Sequence, residues 1–217
     1  MPFRFRFLFV FFLFFFFEVK KIQGQSWEYK TLEKIHLQRN KNLDLAFFRA
    51  GQVSDVLAFS YPAFWAGKAA LSGDSIHKTR FLESFLGIGL GVSLSYGLKW
   101  AIKRPRPFEQ FPEIRPPYPK SKSWSFPSGT TTRIFETATM ASLHFPKWYV
   151  IFPSFTFAGI VACSRIHLGE HYAGDVLAGA ALGVASAWLS QKGLKWVNKR
   201  KKKMQRPFSN PLLLPSK

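Results

Sequence analysis

Lys99 and Arg106, with six residues between them, open a series of chemically capable side chains that continues with Pro127-Ser128-Gly129 and ends with Ser164-Arg165, His171 and Asp175. Together these residue types make an oxyanion site. Lys99 and Arg106 bring two positive charges to the loop side of one helix, and Arg165 adds a planar fork of donors suited to phosphate oxygens. Ser128-Gly129 stands just before a helical segment, where a hydroxyl and exposed backbone N–H groups can face an anion. Gly129 lets that backbone approach without a Cβ in the way. His171 and Asp175 are four apart, hence on one face at the start of a helix. A carboxylate bonded to one imidazole nitrogen fixes the tautomer and leaves the other nitrogen free as a nucleophile.

As patterns, these residues read K-x6-R-P, then P-S-G-T, then S-R-x5-H-x3-D, with intervals of 19 and 33 residues. The chain thereby resembles the type 2 phosphatidic acid phosphatase family, which shares its site with bacterial class A acid phosphatases and vanadium haloperoxidases. The first and third patterns match at every fixed position and the second at three of four, over about residues 40–190. The resemblance implies that His171 attacks phosphorus to form a phosphohistidine, with Asp175 orienting it. It implies that Lys99, Arg106, Ser128, Gly129 and Arg165 hold the phosphate oxygens, and that neither metal nor cofactor is needed, because cations and amides carry the electrostatic work.

One position departs from the family. The histidine that closes the second pattern, and that protonates the leaving group, is Thr130 here. An alcohol cannot act as a general acid near neutrality, and losing such an acid costs about 10²–10⁴ in rate. The site can therefore hydrolyse slowly, favour good leaving groups such as those of diphosphates, or use another acid. His167 is a candidate for that acid, against a plain helix-end reading. Arg133 and Glu136 are expected to form an i,i+3 ion pair. Glu170 is expected to be an exposed loop carboxylate, and His36, His77 and His144 to be surface or interfacial residues.

Four apolar segments must position these side chains: Val53–Leu71, Phe81–Ile102, Trp148–Cys163 and Val176–Leu189, with a weaker fifth over Thr130–Phe145. Their Gly, Ala and Ser content suits close helix approach. None is an unbroken run of 18 apolar residues, so each is a marginal span or a buried helix. Upstream, Arg4 and Arg6 precede the apolar run Phe7–Phe17, which reads as a signal peptide or a signal anchor. The expected organisation is therefore residues 1–24 as that signal, 25–191 as the phosphatase-like domain and 192–217 as a basic tail. The expected fold is an all-α, membrane-embedded bundle of five or six helices. If the first run stays, the charge bias puts the tail inside and the site loops on the outer face of the cell envelope.

Composition narrows the partners. The net charge of +19, from 31 Lys+Arg against 12 Asp+Glu, calls for an anionic partner. The basic residues form no recognisable nucleic-acid reading element, so phosphorylated lipid or a small phosphate ester at a membrane is favoured over nucleic acid. Apolar residues make up 47% of the chain and 25 are Phe, yet mean hydropathy is only -0.03, low for a chain that spans a bilayer repeatedly. Cys163 is the single cysteine and sits in an apolar run, where an inert core role is expected. The leading function is hydrolysis of phosphate mono- or diphosphate esters, lipid-linked, with a non-catalytic phosphate or phospholipid binder as the alternative. Vanadate-dependent halide oxidation is disfavoured, since it also relies on the missing histidine.

Overall fold

The computed structural model describes residues 26–36, 39, 41–115 and 121–205. The signal expected over residues 1–24 lies outside this range, as do residues 116–120 of the proline-rich loop. Six helices of more than one turn are described: α1 (Ser26–His36), α2 (Lys41–Ser72), α3 (Ser75–Ile102), α5 (Gly129–His144), α6 (Trp148–His167) and α7 (Ala173–Gln205), with a single turn α4 (Pro107–Gln110). No strand occurs among the described residues. The all-α bundle expected from the sequence is the fold observed. The four apolar segments lie within α2, α3, α6 and α7, and the weaker one covers α5 from Thr130 and runs one residue past its end. The basic run 199–203 continues α7 as helix.

α5 is the central helix, packed against α2, α3, α6 and α7. Its seam with α7 is made by glycine. A Cβ on Gly179 would stand 2.6 Å from Ser128 O, and one on Gly183 only 2.3 Å from Thr132 O. No side chain fits there, so the two backbones meet directly.

The distribution of polarity is inverted relative to a water-soluble bundle. Glu28, Glu136, Thr131, Thr132 and Asp175 are among the largest fully buried side chains, whereas Val56, Phe59, Phe85, Trp100 and Phe152 are exposed. Exposed apolar surface of this extent marks contact with another apolar phase. The inversion also accounts for the low mean hydropathy: a polar interior and basic ends offset an apolar exterior. Cys163 follows the same logic and is exposed on α6, correcting its expected place in the core. Among the described residues, three helical segments are long and apolar enough to cross a membrane: Ser75–Gln110, Trp148–His167 and Ala173–Lys201. α2 carries Asp55 and Lys68 within its apolar stretch, and α5 is rich in threonine; neither joins that set.

Candidate active site

The site forms where α3, α5 and the α6–α7 turn end together. α3 stops at Ile102 because Lys103 adopts a left-handed conformation (φ 51°) and returns its N–H to Lys99 O. The turn brings Lys99, in the last turn of α3, and Arg106, just beyond it, to one cavity. α6 stops at His167, where Gly169 takes a φ of +71° and a Cβ would lie 2.7 Å from Ile114 Cγ2. Only glycine satisfies both demands there. The turn then presents Glu170 and His171, whose N–H groups both bond Arg165 O.

The cavity, of about 170 Å³, is lined by Lys99, Arg106, Gly129, Thr130, Arg133, Glu170 and His171, together with Ser95, Tyr96, Val92, Ser121 and Ser123. Gly129 and Thr130 begin α5, so the unpaired amides of that helix start border the same space. Arg106 is fixed by Ser123 O (2.7 Å), Ser123 Oγ (3.0 Å) and Glu170 O (3.0 Å). Lys99 Nζ donates to Trp124 O.

His171 makes no hydrogen bond through Nε2 among the described residues, and Nδ1 points to a relay. Ser125 Oγ donates to Asp175 Oδ2 at 2.5 Å and lies 3.4 Å from His171 Nδ1, while the direct Nδ1–Oδ2 distance is 3.6 Å. With the hydroxyl hydrogen directed at the carboxylate, Ser125 is left to accept from Nδ1–H. The lone pair then sits on Nε2. Burial lowers the His171 pKa to about 4; Arg106 and Lys99 push the same way, and Asp175 opposes them. The imidazole is therefore neutral at ordinary pH.

Asp175 is itself held from behind. Arg104 Nη1 reaches Asp175 Oδ1 at 2.7 Å and its Nη2 reaches Glu28 Oε2 at 2.6 Å, while Glu28 Oε1 accepts from Gly174 N at 2.9 Å. α1 thus reaches over the bundle to fix the start of α7. Ser125, Arg104 and Glu28 were not singled out from the sequence. Arg104 stands at one of the six variable positions inside the first pattern and Ser125 two residues before the second, but Glu28 carries no local signal.

Not every expected phosphate ligand lines the cavity. Arg165 is buried behind Glu170 and bonds Phe47 O (2.9 Å), Ser164 Oγ and Glu170 Oε2 (3.2 Å). Ser128 is also behind the wall; its Oγ accepts from Thr131 Oγ1 at 2.9 Å and its N–H bonds Asp175 O at 3.0 Å. His167 follows its plain helix-end reading, while other side expectations are corrected. His167 bonds Asp44 at 3.1 Å and stands edge-on to Phe47, away from the cavity. Arg133 pairs with Asp55 (2.7 Å) and not with Glu136, which is buried without a hydrogen-bond partner among the described residues. Glu170 is part-buried and paired with Arg165. His36 and His144 are buried, because each ring meets two polar partners brought by other segments.

Fold and site together place the chain in the PAP2 superfamily, whose family model matches residues 80–199. The chain belongs to that family and is a membrane protein. A curated relative, an undecaprenyl-diphosphatase of Sulfolobus acidocaldarius, is 31% identical over 118 residues, covering 52% of this chain and 54% of the relative. The chain thus spans about half the length of that relative. The crystal structure of Aquifex aeolicus LpxE is similar, with a TM-score of 0.68 and 26% identity over 79% of this chain and 98% of that one. So is a transmembrane PAP2-type phosphatidylglycerolphosphate phosphatase from Bacillus subtilis, with a TM-score of 0.68 and 25% identity over 85% of this chain and 93% of that one.

Proposed function

We propose that this protein hydrolyses phosphate mono- or diphosphate esters carried on lipids, through a phosphohistidine at His171 and with its cavity on the outer face of the membrane. The observation that carries the reading is His171 itself, with Nδ1 engaged and Nε2 left without a hydrogen bond among the described residues, in a cavity that Lys99 and Arg106 also line. Nε2 attacks phosphorus, Ser125 and Asp175 stabilise the positive imidazole as it forms, and Lys99, Arg106 and the α5 amides take the phosphoryl oxygens. Arg165 and Ser128 act from behind, by holding Glu170 and the start of α5. Water then cleaves the N–P bond and releases orthophosphate. The family relationship and the lipid-phosphate phosphatases among the similar proteins support the substrate class.

The orientation rests on charge. The C-terminal half of α7, with Lys192, Lys195 and Lys199, runs away from the cavity, and a basic end prefers the cytoplasmic side. A single cysteine placed at Lys122 in a Cys163→Ser background should react with an impermeant thiol reagent on intact cells. Protection there reverses the orientation.

The test of function is phosphate release from a panel of lipid phosphates and diphosphates, with acid-labile, base-stable labelling of His171 by substrate as the signature of the intermediate. Thr130 favours one second reading, a site that binds phosphate without turning it over. Vanadate binding with no release from any substrate is its expected signature.

A further inference from the structure

Arg133 belongs to none of the three sequence patterns, yet it lines the cavity one helical turn beyond Thr130. Its Nε and Nη2 are held by Asp55 Oδ1 of α2 at 3.1 and 2.7 Å, and Nη2 also donates to Thr130 Oγ1 at 3.3 Å. Nη1 makes no hydrogen bond among the described residues. It stands 3.4 Å from the point a Cβ on Gly129 would occupy, beside the wall where the helix amides begin. A carboxylate from a neighbouring helix therefore fixes this guanidinium with one amino group turned toward the reaction space. It thus adjoins Thr130, the position that the family resemblance assigns to the leaving-group acid, in the cavity that His171 also lines.

Resting on the phosphatase reading above, we propose that Arg133 binds the leaving group and makes this site selective for lipid diphosphates over lipid monophosphates. A guanidinium stays protonated at any accessible pH, so it neutralises charge but gives no proton. The two substrate types differ in that respect. When His171 Nε2 attacks the outer phosphorus of a diphosphate, the N–P bond forms and the bond to the bridging oxygen breaks. The electron pair goes to that oxygen, and the lipid monophosphate departs as an anion whose second pKa is about 6. It needs no proton, only a cation. A monoester must instead expel an alkoxide, which needs the proton that Thr130 cannot supply. Water afterwards adds to the phosphohistidine, the N–P bond breaks, and orthophosphate and neutral His171 are restored.

The experiment compares wild type, Arg133→Gln, Arg133→Lys and Asp55→Asn in detergent. kcat/KM is measured on a prenyl diphosphate and the matching prenyl monophosphate, and calorimetry measures inorganic pyrophosphate and orthophosphate binding. Arg133→Gln should lower the diphosphate-to-monophosphate ratio of kcat/KM by about 10², the scale of losing one preorganised donor. It should also weaken pyrophosphate binding more than orthophosphate binding. Arg133→Lys should recover part of the ratio, and Asp55→Asn should lose part of it by releasing the guanidinium. Equal losses on both substrates, or no loss, overturn the proposal. Should the wild type release phosphate from neither substrate, the phosphatase reading fails on its own. The pyrophosphate preference and its response to Arg133→Gln then decide whether Arg133 is a second-phosphate ligand.

Discussion

Two buried histidine–carboxylate pairs occupy opposite ends of the same bundle, and they differ in one respect that matters. At the end described above, His171 has a free Nε2 in a cavity with Lys99 and Arg106, and only Nδ1 is engaged. At the other end, His144 uses both nitrogens: Nδ1 meets Tyr61 Oη at 2.9 Å and Nε2 meets Glu83 Oε2 at 2.9 Å. Its ring also stacks on Tyr61 and stands edge-on to Trp65. Glu83 and Lys99 share α3, 16 residues apart, which is roughly 24 Å at the helical rise. The pair itself is therefore not the chemistry. On the proposed reading, His171 can serve as a nucleophile because its second nitrogen is left to the substrate, whereas His144 is a structural tie because the bundle claims both.

The largest expected effect separates the two ends directly. His171→Ala should abolish phosphate release and leave the unfolding temperature near wild type, whereas His144→Ala should keep the rate. The second variant should lose stability, because it leaves Glu83 buried and unpaired at a cost of about 3–5 kcal/mol. Phosphate release and thermal unfolding on the same detergent preparations decide the matter; a rate loss in both variants breaks the distinction. Asp175→Asn should lower kcat by about 10²–10⁴, since the amide no longer fixes the tautomer. Glu83→Gln at the other end should leave kcat unchanged.

Thr130→His sharpens the account of the altered position. Restoring an acid should raise turnover of lipid monophosphates by about 10²-fold or more, and of diphosphates less, because only the former need the proton. Equal gains mean that another residue already supplies it. The smallest effect is spectroscopic. His171 should titrate near 4 in the free protein, followed by the ring signals of labelled histidine. A depressed pKa means the neutral imidazole persists from neutrality down to that value and is lost as pH falls through it. Asp175→Asn removes an influence that raises the value, so it should move the midpoint lower.

Much of this was legible in the sequence, and the limits have a physical reason. Lys99, Arg106, Gly129 and His171 could be read because fixed spacings set which residues share a helix end or a turn. The bundle could be read from its five apolar segments. What spacing cannot give is a partner supplied by a distant element. Arg133 sits three residues before Glu136, yet it pairs with Asp55, 78 residues away, because α2 packs beside α5 at that height. Glu28 reaches Arg104 across 76 residues, and the hydroxyl between His171 and Asp175 comes from Ser125, 46 residues upstream of the histidine. Arg165 shows the converse. Its family position was plain, but Phe47 O and Glu170 claim its donors and turn it away from the cavity.

The glycine seam between α5 and α7 sets how the site ages with temperature. Side chains packed between helices loosen before a protein melts, and spacings they maintain drift. Here Gly179 and Gly183 bring backbone against backbone, and Ser128 N–H is bonded to Asp175 O, so the helix start that carries Gly129 and the one that anchors His171 are joined without an intervening side chain. On warming, the distance between the two has nothing soft in it to expand. Heat inactivation should accordingly coincide with the loss of the fold and not precede it.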